Sequence, residues 1–549
     1  MRNLRFHWLA CLLAIAAPAT AQPPGTLPEW GRALTPAEGR ELRAEVGRLS
    51  RRLGVREETL IAIARVLGAN LRDVGFLELI QRVQSQAERA AELQVQIGAL
   101  QAQIEALADA AVRNPAEQAL GRALTAFQEG RLDDADREFG ALESLRRSES
   151  ESAHAAWIDA VDARARVAEL RLDYDAAESL RLSAAREEQS ATRLSIERQW
   201  RFIMAAAYAR YDQGQISGDA AALERAISLY RNEALPLAPR AERPDAWAGT
   251  QNDLGNALQA LGEMEAGSAR LEQAVVAFEL ALLERTRARV PLAWAGLLSN
   301  LGSALFQLGT RERGTTRLRR SVRALQTALE ELPREQFPLD WARNQSNLAN
   351  ALAALGAREN GTARIEQAIQ IYEAALEELS REQVPLAWAM AQNNVATALM
   401  TLGDRENDVA RLEQAVAAYQ AVLQEWTRDR FPIQWAMAQN NLGIALQGLG
   451  RREAGTARLE QAVRAHAAAL EEVTRERVPA IWAATMANMA DAMARISERT
   501  RDRALLDQAE ARARDARAVF QAGNYESGLA WANYVLRRIA SIRRRMGDR

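Results

Sequence analysis

The chain has 549 residues, with 70 Lys+Arg against 72 Asp+Glu, and a single cysteine. Apolar residues make up 48% and charged residues 26%, ordinary values for a soluble folded protein. The pI near 6.2 argues against a nucleic-acid binder that works by neutralising phosphates. Length alone suggests three or four domains of ~150 residues, unless the chain is built from repeats.

Residues 1–21 read as a secretory signal peptide. Arg2 and Arg5 make a basic start, Trp8 to Pro18 is a short apolar stretch, and Ala19-Thr20-Ala21 supplies small residues for cleavage before Gln22. The apolar run is too short to span ~30 Å of hydrocarbon. The expectation is export to a periplasmic or extracellular space, with no stable membrane insertion. The only cysteine, Cys11, lies in this leader, so the mature chain has no thiol nucleophile and no disulfide.

Residues 22–35 form a linker that opens with the Pro/Gly-rich stretch Gln22 to Pro28. Residues 36–112 are helical by composition, with breaks near Gly54 and Gly75. Within them, 83–111 follow a heptad: Val83, Gln86, Ala90, Leu93, Ile97, Leu100, Ile104, Leu107 and Ala111. Two readings stand side by side. One is a helix packed on the first repeat; the other is a coiled coil that makes a homo-oligomer through 83–111.

Two irregular helix pairs are expected over 115–195. One surrounds Gly130-Arg131-Leu132-Asp133, and the other surrounds Tyr174-Asp175-Ala176-Ala177. A regular array follows over 196–526. Trp200, Trp247, Trp294, Trp341, Trp388, Trp435 and Trp482 stand 47 residues apart. Pro244, Pro291, Pro338, Pro385, Pro432 and Pro479 keep the same step, as do Gly262, Gly309, Gly356, Gly403 and Gly450. Each unit parses as two helices. Proline suits the first turn of the first helix, where its missing N–H costs nothing. Trp247, Leu254, Leu258 and Leu261 recur at helical spacing. The glycine ladder reads as the C′ stop of the first helix. Thr315, Thr362 and Thr456 read as hydroxyl caps of the second. That helix carries Ile365, Ala368, Tyr372, Ala375 and Leu376 on one face. Residues 527–549 close the array with a helix, Gly528 to Arg545, and a basic tail. No run of β-branched alternation predicts a strand.

The unit resembles the tetratricopeptide repeat, which has about 34 residues, a leucine–glycine pair in its first helix and an A-x-x-x-F pattern in its second. Leu254-Gly255, Leu301-Gly302 and Leu442-Gly443 match the pair, and Ala274 with Phe278 and Ala368 with Tyr372 match the pattern. The longer unit is similar to the kinesin-light-chain-like members; HEAT repeats share the length but not these pairs. Tryptophan stands one turn earlier than in the family, and Gln251, Gln345, Gln392 and Gln439 occupy its slot. The resemblance implies an all-α tetratricopeptide-type solenoid, a right-handed superhelix of helix-turn-helix repeats.

Catalytic chemistry finds little to work with. There are three histidines and no lysine, so a phosphate-cradling G-K-[ST] loop is impossible. His466 takes the place of Phe278, Tyr372 and Tyr419 in its repeat and reads as packed; His154 reads as structural. No Cys/His spacing fits a metal. No cofactor and no enzymatic activity are expected.

One polar ladder exceeds what a helix needs. Asn300, Asn347, Asn394, Asn441 and Asn488 share one position in the first helices, and Asn252, Asn393 and Asn440 form a second row beside it. Asparagine is a poor helix former, so its recurrence asks for a reason. The family resemblance implies a groove ladder that hydrogen-bonds a protein or peptide partner; the alternative is that the amides bridge repeats or cap loop carbonyls. One turn earlier stand Gly249, Gly296, Arg343, Met390 and Met437. Arg343 is the one cation there, so a clamp for an acidic chain terminus is not expected. Met390, Met437 and Met400 suggest an adaptable apolar floor. The ladder Arg270, Arg317, Arg364, Arg411 and Arg458, at the start of the second helices, reads as surface ion pairing. The expectation is a non-enzymatic protein-interaction scaffold, with a self-assembling envelope protein as the second reading.

Overall fold

The computed structural model describes residues 36–547, apart from 71–75, 106–109, 145–150, 188–192, 266, 360, 382–383, 430, 477 and 524. The leader, Cys11, the linker 22–35 and Leu107 lie outside the described residues. Every regular element among those described is helical. The chain forms two compact units, divided between Leu261 and Gly262.

The first unit contains α1 (Pro36–Leu53), α2 (Glu57–Asn70), α3 (Phe76–Glu105), α4 (Ala110–Gln128), α5 (Leu132–Ser144), α6 (Glu151–Leu170), α7 (Tyr174–Glu187), α8 (Arg193–Ser217), α9 (Ala220–Ser228), a π-helical segment Leu229–Ala234, α10 (Leu235–Leu237) and most of α11 (Pro244–Met264). The heptad seam is filled from within the chain. Val83, Ala90, Leu93, Ile97, Leu100 and Ile104 of α3 are buried in one core with α1, α2, α4, α5 and α6. α3 packs most extensively on α6. This corrects the oligomeric coiled-coil reading over the described part of 83–111: the apolar stripe has no free seam left to offer a second copy. Gln86 shares that interior, with neither amide atom hydrogen-bonded.

Gly130 shows why one turn in this unit demands glycine. Its φ is +72°, and a Cβ there would stand 2.4 Å from the Glu58 carbonyl oxygen. The α4–α5 turn therefore lies flat on α2, where the Thr59 hydroxyl donates to the Phe127 carbonyl at 2.6 Å.

The second unit is a stack of helix pairs: α12 (Ala269–Leu282), α13 (Pro291–Arg311) with α14 (Thr316–Leu329), α15 (Pro338–Arg358) with α16 (Ala363–Glu378), α17 (Pro385–Glu406) with α18 (Val409–Glu425), α19 (Pro432–Gly450) with α20 (Ala457–Glu472), α21 (Pro479–Thr500) with α22 (Arg503–Ala522), and α23 (Glu526–Arg545). Each second helix packs on its own first helix and on the first helix of the next pair. Successive first helices also touch one another directly, α13 with α15, α15 with α17 and so on. This arrangement is an all-α solenoid in which the first helices line the inner side of the stack.

Proline opens α13, α15, α17, α19 and α21 at the first turn, as the sequence dictates. Two terminus readings need correction. The glycine ladder does not stop the first helices by a left-handed turn. α13, α15 and α17 run past Gly309, Gly356 and Gly403, and none of these glycines has a positive φ. Their service is close approach: a Cβ on Gly309 would meet Leu318 Cδ2 at 2.9 Å and the Leu318 amide nitrogen at 3.0 Å, and Gly403 stands the same way to Leu412. Nor do the threonines cap. Thr315, Thr362 and Thr456 sit at the N-cap in helical backbone geometry without a side-chain cap bond. Capping falls to aspartates, with Asp408 accepting from the Ala410 and Arg411 amides and Asp502 from Leu505.

Candidate functional site: the inner face of the first helices

Two arginine ladders, unremarked in the sequence, hold the inner face in place. Arg311, Arg358, Arg405, Arg452 and Arg499 end the first helices at the 47-residue step. Each reaches back to the exposed carbonyls at the end of the preceding first helix. Arg358 donates to Thr310 O at 3.1 Å, Arg405 to Ala357 O at 2.7 Å, Arg452 to Gly403 O at 3.2 Å and Arg499 to Gly450 O at 2.7 Å. The last carbonyls of a helix lack intrahelical partners and carry partial negative charge, so a cation is the natural cap. Burial pulls Arg311, Arg358 and Arg405 below their ordinary pKa.

The second ladder runs through the loops between pairs. Arg287, Arg334, Arg381 and Arg428 lie 5.6, 5.0, 5.1 and 5.7 Å from the ring centres of Trp294, Trp341, Trp388 and Trp435. Each then pairs with acids at the end of the next second helix, as Arg287 with Glu330 and Glu331 and Arg334 with Glu377 and Glu378. The repeated tryptophan is thus half-buried under a guanidinium that staples two units. The outer ladder behaves as the sequence suggests: Arg270, Arg317, Arg364, Arg411 and Arg458 pair with Glu265, Glu312, Glu359, Glu406 and Glu453 at 3.1–3.5 Å.

On this frame the asparagine row is graded. Asn300, Asn347 and Asn394, on α13, α15 and α17, are half-buried. Asn441 and Asn488, on α19 and α21, are buried at 1% and 4% exposure. Asn394 donates to Asn350 Oδ1 at 3.0 Å and accepts from Asn393 at 3.3 Å. Asn350 also accepts from the Tyr372 hydroxyl. Farther along, Asn488 donates to Asn440 Oδ1 at 3.2 Å, while its own Oδ1 accepts from Trp531 Nε1 of α23 at 3.1 Å and its carbonyl accepts from Gln447 at 2.6 Å. At this end Asn488 and Asn440 bridge repeats and Trp531 of α23 bonds Asn488, while Asn441 is buried with neither amide atom hydrogen-bonded. Asn440, Asn441 and Asn488 leave no open face for an incoming chain. Asn393 is also buried, at 9%. Asn252 belongs to the first unit, where it donates to Asp253 at 2.9 Å.

Around the row, Arg343 is 76% exposed and only loosely paired with Asp340, at 3.8 Å. Met390 is exposed and Met437 half-buried, but Met400 is buried in the core and does not contribute to a floor. The signal that separates open from closed amides lies in distant sequence. Trp531 sits 43 residues after Asn488, off the tryptophan ladder. Asn344 escaped the pattern altogether; it is buried and donates to the Leu325 carbonyl at 3.1 Å.

His466 explains how one position changes chemistry between repeats. Tyr372 and Tyr419, its equivalents, give their hydroxyls to Asn350 and Thr397. The residue in that register beside His466 is Ile444, which offers nothing to bond. His466 is fully buried against Gly443 with neither ring nitrogen hydrogen-bonded. Burial pushes its pKa down to about 3, with Asp491 pulling weakly upward. Among the described residues no group of three or more His, Cys, Asp or Glu could hold a metal ion, and no helix is long and apolar enough to cross a membrane.

A tetratricopeptide-repeat family model matches residues 388–429 and 435–473, which are α17 with α18 and α19 with α20. These two pairs are tetratricopeptide repeats, and the unit so matched recurs at the same 47-residue step through the stack. No curated protein matches the sequence. Among solved structures, a Rap protein complexed with competence and sporulation factor is 13% identical, covering 71% of this chain and 98% of that one, with a TM-score of 0.35. The TPR2AB domain of yeast Sti1, solved as a pHSP90 complex, is 17% identical over 52% of this chain and 99% of that one, at 0.19. The Cut9–Hcn1 hetero-tetramer of APC/C is 12% identical over 78% and 96%, at 0.23.

Proposed function

We propose that the chain is a non-enzymatic protein-interaction scaffold that holds a segment of a partner protein along the inner face of α13, α15 and α17. The observation that carries this reading is the half-buried part of the asparagine row, in which Asn394 is also bonded to Asn350 and Asn393. Asn300, Asn347 and Asn394 recur on consecutive first helices, half-exposed, where a packed repeat would need only apolar contact. An amide presents both a donor and an acceptor, which matches a peptide backbone. The flanking positions are polar but uncharged, Ser299, Ser303 and Asn350, apart from Arg343. The same reading places the protein outside the cytoplasm, on the basic start and apolar stretch of residues 1–21.

The test is partner capture from the native envelope fraction. The Asn300→Ala/Asn347→Ala/Asn394→Ala variant should lose partners that the wild type retains. A variant at Arg317 and Arg364 on the outer side should keep them. If the triple variant folds and keeps every partner, the row is structural and the reading fails.

A further inference from the structure

Arg313 and Glu526 stand 213 residues apart in sequence, yet the Arg313 guanidinium donates to a Glu526 carboxylate oxygen at 3.0 Å. Arg313 lies in the turn between α13 and α14, and Glu526 is the first residue of α23. Both belong to the second unit. Five steps, from α13 through α15, α17, α19 and α21 to α23, therefore bring the stack round against its own edge. The edges that meet are opposite ones, because Arg313 follows the end of a first helix and Glu526 opens one. The stack must then climb by about one first-helix length as it curls. For the 21 residues of α13 that is about 31 Å.

Both residues depart from the repeat. The place of Arg313 is taken by Asn360, Asn407 and Ala454 in the next three pairs, and arginine returns there at Arg501. Glu526 stands 47 residues after Pro479, where the six preceding first helices of the ladder open with proline. An acid in a first turn favours its own helix dipole. That accounts for a carboxylate at 526, but not for the cation that faces it. Packing asks for neither side chain, since they are 87% and 84% exposed. A pair so exposed shifts an equilibrium by about fivefold at most. Salt weakens it further, because the Debye length falls from about 30 Å at 0.01 M to about 3 Å at 1 M. Each repeat of a solenoid contacts its neighbours, so small changes of angle at the five intervening steps add up at the two ends.

We infer that Arg313 and Glu526 form an electrostatic clasp, which holds the second unit in its curled form and which salt opens. The clasp sets how widely the first helices spread along the inner side, whether or not that side holds a partner.

The experiment uses the full chain with Cys11→Ser, spin-labelled at Gly314→Cys and Gln521→Cys, both exposed positions beside the clasp. Double electron–electron resonance reads the distance between the labels. At about 0.01 M salt a short distance should dominate. At about 1 M that population should fall by up to about fivefold against a longer one. Arg313→Glu should produce the same fall at low salt with the thermal melt unchanged, and Arg313→Glu/Glu526→Arg should restore the short distance. A control pair at Gly314→Cys and Gly361→Cys, in adjacent turns, should keep its distance throughout. A short population that Arg313→Glu does not move overturns the inference, because packing alone would then hold the curl. So does a loss that the double reversal fails to restore, or an equal change in the control pair.

Discussion

The two units are held together by different chemistry. In residues 36–261, charge is buried in pairings that occur once. Arg181 of α7, 3% exposed, bridges Asp162 and Glu169 of α6 and also donates to the Ala205 carbonyl of α8. Arg89 of α3 pairs with Asp212 of α8, which also accepts from the Tyr174 hydroxyl at 3.0 Å. Burial alone would raise the Asp162 carboxyl, but Arg181 and Arg166 draw it below the usual carboxylate range. In residues 262–547 the same few bonds are made again in repeat after repeat: arginine to helix-end carbonyls and arginine over tryptophan. A unique network fixes one arrangement of irregular helices. A repeated set fixes a step and leaves its inner surface free to vary, which is where a binding face can evolve.

The sharpest way to break this contrast is Arg181→Met. It leaves the buried Glu169 carboxylate without its arginine and Asp162 with Arg166 alone, and loss of one partner of a buried pair costs about 3–5 kcal/mol. Urea unfolding of the full chain should show an early transition that wild type lacks, and Asp162→Leu with Glu169→Met in the same background should recover much of the loss. Removing one rung of the repeated set should cost less. Arg405→Ala forfeits charge-assisted bonds to Ala357 and Gly361, about 1.5–3 kcal/mol, read as a lower midpoint in the same titration. Gly309→Ala should cost about 1–3 kcal/mol by overpacking against Leu318; had the glycine been a chain stop, a neighbouring helix would not feel it.

The last effect is pH dependence. His466 is neutral in the fold down to about pH 3, whereas the unfolded chain protonates it near 6.5. Between these values the unfolded state binds more protons, so stability falls as pH falls, by at most about 1.4 kcal/mol per pH unit. His466→Phe, the residue type found at the equivalent Phe278, should remove that slope between pH 6 and 4. Asp162 acts in a different window. Its depressed pKa gives stability that is present above the unfolded value near 3.9 and lost only as pH falls through its folded pKa.

Much of the fold was legible because repetition prints it in the sequence. Proline at the first turn, the tryptophan step and the outer Arg–Glu pairs each follow from residue type and spacing. Position alone did not disclose what a residue touches. Gly309 and Gly403 sit near helix ends and read as stops, but Leu318 and Leu412 from the next helix press on them. Thr315 stands at an N-cap whose backbone is already helical, so its hydroxyl has no amide to accept from. The carbonyl-capping arginines keep the step perfectly, yet their partners are backbone atoms 44–49 residues away. The heptad of α3 was legible as a seam, but a periodicity does not say whether α6 or a second copy fills it. The asparagine row was legible as a row; its division into open and closed parts depends on Trp531 and α23, which share none of its spacing.

The account's central claim is that the inner face of α13, α15 and α17 holds the partner. Placing a photocrosslinking amino acid singly at positions 343, 390, 319 and 413 tests it most directly. Inner positions 343 and 390 should crosslink to the same partner segment, identified by mass spectrometry, and outer positions 319 and 413 should not. Crosslinks of equal yield from the outer positions, or none from the inner ones with partner bound, would contradict the account.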